Sequence, residues 1–264
     1  MVYVLLTLNS LLMIVLPLLL GIWLVHRYRV SWKLFFIGAV GFIISQIGHI
    51  PFNRFVLEPF VDSLLEPEKT LGAVLLAALL FGLSAGVFEE VTRYLFYYFR
   101  KSMRGWDDGL MFGAGWGGVE AIIFGLLAAT TVINVYIYQS GLIESLMPAD
   151  QLAGSSEAIT AAAQQIEELV NSPPYLFLLG AVERVFALIL HLSLSILVLQ
   201  VFVRKNIAWL FVAIGWHTAI DAIAVFGLYQ EWDPLLIEAA VGIPAVIIGL
   251  TVIRYFRPQD LAGE

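Results

Sequence analysis

The 264-residue sequence contains no cysteine and little charge: 13% of its residues are charged, with 14 Lys+Arg against 21 Asp+Glu. Without cysteine there is no disulfide framework, no thiolate metal site and no thiol nucleophile. A net charge of −7 with so few cations excludes a nucleic-acid binder, whose phosphate contacts need Lys and Arg in excess. Soluble domains carry roughly 25% charged and about 45–50% apolar residues. Here 60% are hydrophobic and mean hydropathy is +0.89, which excludes an ordinary soluble enzyme and a disordered chain. Also missing are the alternating ~10-residue strands of an outer-membrane barrel, internal repeats, low-complexity tracts, an HExxH pattern and any recognisable serine-nucleophile motif.

What the sequence does have is a succession of apolar runs, each long enough for a membrane span of ~20 residues. They predict an all-α, polytopic transmembrane helical bundle of seven spans at roughly 2–25, 33–50, 71–99, 109–138, 174–203, 207–228 and 234–256. Helices are required because unpaired backbone groups are costly in lipid. The first run lacks a basic n-region and a small-residue cleavage site, so it reads as a retained span, not a signal peptide. Residues 1–264 read as a single integral-membrane domain, with a core site region at 71–228 and an external loop carrying an amphipathic helix at 139–173.

The cations partition by side. Arg27, Arg29, Lys33, Arg100, Lys101, Arg104, Arg204, Lys205, Arg254 and Arg257 all fall at alternate span ends, against only Arg54 and Lys69 on the other side. By the positive-inside rule the N-terminus is outside and the C-terminus cytoplasmic, a partition that only an odd span count gives. The external 139–172 loop carries Glu144, Asp150, Glu157, Glu167 and Glu168 and no cation. Ser155 or Ser156 can cap a helix there, with Ile159, Ala162, Ile166 and Leu169 as its apolar stripe. Segment 51–69 mixes aromatics with acids and predicts a helix lying at the outer interface. Tyr94 to Phe99 reads as a cytoplasmic aromatic belt.

Glu89, Glu90, Arg93, Glu120, Glu183, Arg184, His191, His217 and Asp221 lie inside the spans. Each costs on the order of 2.5–3.5 kcal/mol or more at mid-bilayer, so they are expected to face one another. At ~1.5 Å rise per residue from the nearest cytoplasmic polar boundary, Glu89, Glu90, Glu120, His191 and His217 all lie about 15–20 Å deep. Four helices thus place an acid or imidazole at one level. Arg93 falls a turn further in and Asp221 a turn further out, while Glu183 and Arg184 lie about 30 Å from the same reference. Arg93 is spaced to bridge Glu89 and Glu90, and Asp221 to orient His217 from one turn away. Gly109, Gly113 and Gly117 form a face that admits a neighbouring backbone. Gln46 and His49 read as a helix contact near the outer face, and Ser193, Ser195, Thr130, Thr131 and Asn134 as ordinary interhelical glue.

Near the common level, Glu89, Glu90, Glu120 and Asp221 face Arg93 alone. Three negative charges remain unless both histidines are protonated, some carboxyls stay neutral, or a divalent cation binds. A poised carboxyl suits a general base for water, and His with Glu suits zinc with an open position. His191, His217 and Glu120 are the metal candidates. Only His217 with Asp221 offers two ligands at i,i+4, so a tightly bound zinc is not expected, although zinc or another divalent metal is compatible with these residues.

These residues resemble the YhfC family, within the larger group of CAAX-type and PrsW-type intramembrane peptidases and the Aph subunit of gamma-secretase. Glu89-Glu90-Val91-Thr92-Arg93 is similar to the paired-glutamate motif, with the Arg one residue sooner than in CAAX endopeptidases. Gly113-Ala114-Gly115-Trp116-Gly117-Gly118-Val119-Glu120 resembles the glycine-rich second motif, with Glu where those enzymes have His. Glu183-Arg184 followed by His191 resembles the third motif, and His217-Thr218-Ala219-Ile220-Asp221 the closing His-x-x-x-Asn/Asp.

The resemblance implies a glutamic-type or metal-dependent peptidase of a prokaryotic cytoplasmic membrane, acting on a membrane-anchored protein or peptide. Glu89 or Glu90 would activate water and Arg93 orient the pair. His191 and His217 would stabilise the oxyanion or bind metal, Asp221 would orient His217, and Glu120 would be second base, ligand or proton store, with Glu183 and Arg184 in support. The Aph-like branch implies instead a non-catalytic seven-span scaffold. A proton- or cation-coupled transporter is the third class, against which stands the lack of an inverted repeat or discontinuous helix pair.

Overall fold

The structure, a computed structural model, describes residues 1–142 and 156–259, without the side chains of 156–159. Every described element is helical: α1 (Val2–Tyr28), α2 (Trp32–Phe52), a π turn (Asn53–Leu57), α3 (Glu58–Leu65), α4 (Leu71–Phe99), a 3-10 turn (Lys101–Met103), α5 (Trp106–Gln139), α6 (Ser156–Asn171), a 3-10 turn (Pro174–Leu178), α7 (Leu179–Val203), α8 (Ala208–Tyr229) and α9 (Pro234–Tyr255). Seven helical segments are long and apolar enough to cross a membrane, matching the expected count. Ser31, Thr70 and Asp233 begin α2, α4 and α9 by accepting from the Lys33, Ala73 and Leu235 amides, which satisfies donors the helices cannot.

The chain divides into two compact units. The larger comprises Leu16–Ala121 and Glu183–Glu264. In it α7 is buried on every side from Leu190 to Val201, as expected of a helix apolar all round. On α4, Leu75, Leu79, Leu83, Val87, Val91 and Leu95 recur every fourth residue and stay exposed, while Val74, Ala77, Ala78, Ala85, Glu89, Glu90 and Arg93 are buried. This inverts the soluble pattern and marks a lipid-facing stripe.

Cation-bearing connections in this unit meet around aromatic rings: Arg104 lies over Phe202, Arg204 near Trp209 and Phe256, and Arg257 near Trp106. Those contacts join segments that the cation count assigned to one side. Tyr97 departs from the expected aromatic belt, because its ring is buried against Phe112.

The segment after α2 also departs from expectation. The helix runs on through Pro51 and the π turn into α3, and Leu57, Val61 and Leu65 pack on Val74 and Ala77 of α4. Proline removes one backbone donor, and the wider π turn two residues later lets the helix continue without regular i→i−4 bonding.

The smaller unit comprises Met1–Val15 and Ile122–Val182. Ser10 Oγ donates to the Gly125 carbonyl at 2.7 Å, and Asn9 Oδ1 accepts from the Ala181 amide at 2.8 Å in the first turn of α7. Tyr3 Oη donates to Gln139 Oε1. The expected amphipathic helix is present as α6, whose Ile166 and Leu169 pack on Leu6, Val135 and Phe177. Glu144, Asp150, Ser155 and the side chains of Ser156, Glu157 and Ile159 lie outside the described part.

Candidate functional site

Glycine brings the polar residues together. A Cβ on Gly82 of α4 would sit 2.5 Å from the Thr218 carbonyl oxygen of α8 and 2.9 Å from the Ala222 nitrogen, and one on Gly86 would sit 2.9 Å from the Ile214 oxygen. Only without those methyls can the two backbones approach this closely. The result is that Glu89 and Glu90, just beyond Gly86, stand beside His217. The α5 face behaves in the same way. A Cβ on Gly113 would meet Ser195 Oγ at 2.7 Å, and one on Gly117 would meet His191 Cδ2 at 2.8 Å, which places Glu120 over His191 of α7.

All nine residues singled out inside the spans join one network. Arg184 Nη1 donates to Glu120 Oε1 at 2.6 Å and also pairs with Glu183, while Glu120 Oε2 accepts from His191 Nε2 at 2.7 Å. His191 Nδ1 then accepts from Arg93 Nη2 at 3.3 Å. Arg93 reaches both oxygens of Glu90, Nε to Oε2 at 2.8 Å and Nη2 to Oε1 at 3.4 Å. Glu90 Oε1 contacts His217 Nδ1 at 2.9 Å, and His217 Nε2 lies 3.5 Å from Asp221 Oδ2. Glu89 Oε2 lies 4.0 Å from His191 Nδ1. Four helices therefore donate to one centre, as the depth count predicts.

Exposure is graded across the network. The Glu90 and Arg93 side chains are 0% exposed, Glu120 18% and Asp221 34%. Five carboxylates meet two guanidiniums, so three negative charges remain for protons, histidines or a cation to offset.

Four corrections follow. Among the described residues, the cluster whose ligand atoms all fall within 4.8 Å is Glu89, Glu90 and His217. Of the expected metal candidates only His217 belongs to it. His191 and Glu120 fall outside it and bond one another instead. Arg184 does not stay apart at an outer boundary, because its long side chain reaches Glu120. Ser195 is more than interhelical glue: it accepts from Arg93 Nη1 at 2.6 Å. Gln46 is more than an outer contact, since its Nε2 donates to Glu89 Oε1 at 3.1 Å. By contrast Thr130 and Thr131 bond carbonyls of their own helix, while Ser193 bonds the Leu190 carbonyl and, as expected of it, joins helices by accepting from Trp216 Nε1 at 3.4 Å.

Trp116 stands in the glycine-rich motif but was given no role from sequence. Its Nε1 donates to Glu89 Oε2 at 2.8 Å and its ring lies 4.2 Å from the Arg93 guanidinium. The available signal was its position one turn before Glu120 on the glycine-rich face.

A multi-span helical membrane protein with a buried acid–imidazole–guanidinium centre is the class that this fold and site define. The sequence model described as YhfC intramembrane metalloprotease matches residues 12–240, and the chain belongs to that family. It is 32% identical over 247 residues to an "Uncharacterized membrane protein YhfC" of Bacillus subtilis (strain 168), covering 92% of this chain and 90% of that protein. No solved structure matches it. Seven spans and a bacterial membrane relative make this a multi-pass integral protein of the bacterial plasma membrane.

Proposed function

We propose that the protein is an intramembrane peptidase that hydrolyses a peptide bond within or beside the bilayer of a membrane-anchored substrate. The observation that carries the reading is the convergence of Glu89, Glu90 and His217, with ligand atoms within 4.8 Å of one another, in a chain of a family described as intramembrane metalloprotease.

Two carboxylates and an imidazole fit a divalent cation, and a set of three protein ligands leaves positions for water or substrate. Asp221 beside His217 Nε2 is the carboxylate–histidine arrangement that fixes a ring so that its other nitrogen faces a ligand. A cation held there would polarise the scissile carbonyl and acidify water.

The chain's own groups divide the remaining work. Glu90 is committed to Arg93 and His217, whereas Glu89 is held only by the neutral donors of Gln46 and Trp116, which leaves one lone pair on each of its oxygens. Glu89 is therefore the carboxylate that takes the proton from water and returns it to the leaving amine. Arg93, fixed by Ser195, orients Glu90. Glu120, held by Arg184, fixes the His191 ring at Nε2, and Arg93 meets its Nδ1. The cation partition puts the centre toward the cytoplasmic half of the membrane, with the N-terminus outside.

Purified protein and a panel of membrane-anchored peptides test this. Glu89→Gln and His217→Ala should each lower cleavage by orders of magnitude, and cleavage indifferent to both would refute the assignment. The pairing of most of these charges with one another favours the second reading, a non-catalytic scaffold. A stable co-purifying partner retained in both variants, without proteolysis, would establish that reading instead.

A further inference from the structure

Gln46, His49 and Asn53 follow one another along α2 into the π turn, and they lead from Ser84 of α4 back to Glu89 of α4. Ser84 Oγ donates to Asn53 Oδ1 at 2.5 Å, Asn53 Nδ2 contacts His49 Nε2 at 3.0 Å, His49 Nδ1 contacts Gln46 Oε1 at 3.2 Å, and Gln46 Nε2 donates to Glu89 Oε1 at 3.1 Å. The direction of every bond is fixed by elimination. An amide oxygen only accepts, so His49 Nδ1 must carry the hydrogen. Its Nε2 is then the acceptor for the Asn53 amide, and Asn53 turns its oxygen to the serine hydroxyl.

All four bonds point the same way and end on the carboxylate. Gln46 Nε2 also donates to Ser45 Oγ at 3.3 Å, and Ser45 gives its own hydrogen to the Phe42 carbonyl, so a flipped amide would set its oxygen against acceptors on both Ser45 and Glu89. Amides do not conduct protons in this arrangement, so the chain orients and does not relay.

We propose that Gln46, His49, Asn53 and Ser84 form a one-directional hydrogen-bond chain that positions the carboxylate of Glu89 opposite Trp116. The reaction it serves rests on the peptidase reading. All four are positioning residues. Gln46 touches Glu89 directly, and the other three set the orientation of the residue before them. A carboxylate gripped on one oxygen by Gln46 and on the other by Trp116 cannot rotate, and an error of about 1 Å at a reacting group costs on the order of 100-fold in rate.

The test has two arms, so that failure of the chain and failure of the peptidase reading are distinguishable. In liposomes, magic-angle-spinning NMR of protein labelled with 15N-histidine, assigned by the loss of signal in His49→Phe, should show His49 protonated on Nδ1 and unprotonated on Nε2. The Glu89 carboxyl resonance, assigned through Glu89→Gln, should move in Gln46→Leu and in Asn53→Leu. An Nε2–H tautomer, or a Glu89 resonance unmoved by both variants, overturns the proposal.

The second arm is kinetic. His49→Phe keeps a ring against Phe88, which lies 5.6 Å from the His49 ring, but removes both hydrogen bonds. It should lower kcat by roughly 10–100-fold, the usual cost of losing an orienting partner. KM should change by less than about twofold, since substrate binding is untouched. His49→Asn replaces the Nδ1 donor and should recover most of the rate. If ring packing alone mattered, Phe would be tolerated and Asn would not, and that order overturns the proposal. A wild-type protein that cleaves nothing removes the peptidase reading, and the NMR arm then decides the chain by itself.

Discussion

Adding one methyl group at Gly82 tests whether backbone contact between α4 and α8 builds the site. A Cβ there would lie 2.5 Å from the Thr218 carbonyl oxygen. Close carbon–oxygen contacts settle at about 3.3 Å, so α8 must retreat by roughly 0.8 Å. No flexible side chain can absorb this, because both obstacles are backbone atoms. Overpacking of this kind costs about 1–3 kcal/mol. Gly72, also on α4, has nothing within 4 Å of its would-be Cβ. There, at the second residue of the helix, alanine should gain up to about 0.5 kcal/mol, less than in a helix interior. The two variants make the same chemical change on one helix and should move stability in opposite directions. Function should separate them further. Thr218 follows His217, so a retreat of that size lengthens the 2.9 Å contact of His217 with Glu90 beyond hydrogen-bonding range, and cleavage should fall about 100-fold. Thermal unfolding in detergent, followed by tryptophan fluorescence, and the peptide cleavage assay read the two effects. Gly82→Ala matching Gly72→Ala in both would refute the close approach and the account of how Glu90 meets His217.

Three further outcomes are expected. Arg93→Met leaves Glu90 buried without its cation and should destabilise the protein by about 3–5 kcal/mol, most of which Glu90→Gln in the same chain should restore; a thermal melt reads both. Elemental analysis after incubation with zinc or manganese should find one metal ion per chain in wild type and in Glu120→Gln, but none in Glu89→Gln or His217→Ala. Loss in Glu120→Gln alone would move the metal to the His191 side. Asn9→Leu deprives the Ala181 amide of its acceptor and should cost about 0.5–2 kcal/mol, as other lost helix caps do; an unchanged melting temperature would contradict it.

Helix count and span limits were legible because the bilayer imposes them: an unpaired backbone is too costly in lipid for any other answer. The run from α2 into α3 was not. A span ending at 50 and a separate interfacial helix over 51–69 were expected, yet a π turn carries the helix through Pro51 into α3, and local composition does not reveal which backbone donor a proline can relinquish. Burial of Tyr97 was hidden for a related reason. In a run of aromatic residues, only the helix packed alongside decides which ring faces inward.

The site was legible to the extent that helical rise is regular. Counting from the cytoplasmic ends puts Glu89, Glu90, Glu120, His191 and His217 at one level, and the structure joins them there. The same count places Gln46 thirteen residues beyond Lys33, about 20 Å deep and level with His191. Its depth was therefore readable. What concealed it was its neutrality, since an amide costs less to bury in a span than a charge and marks a shared centre less sharply. Arg184 was counted about 30 Å from the cytoplasmic boundary for a different reason: depth was taken at the backbone, while a guanidinium acts at the end of a long stem. Seven residues separate Arg184 from His191, about 10 Å along the helix, and Glu120 spans that gap by giving one oxygen to each. Backbone depth thus identifies which helices contribute to a buried polar centre, whereas side-chain length and the direction of each hydrogen bond decide which residues close it.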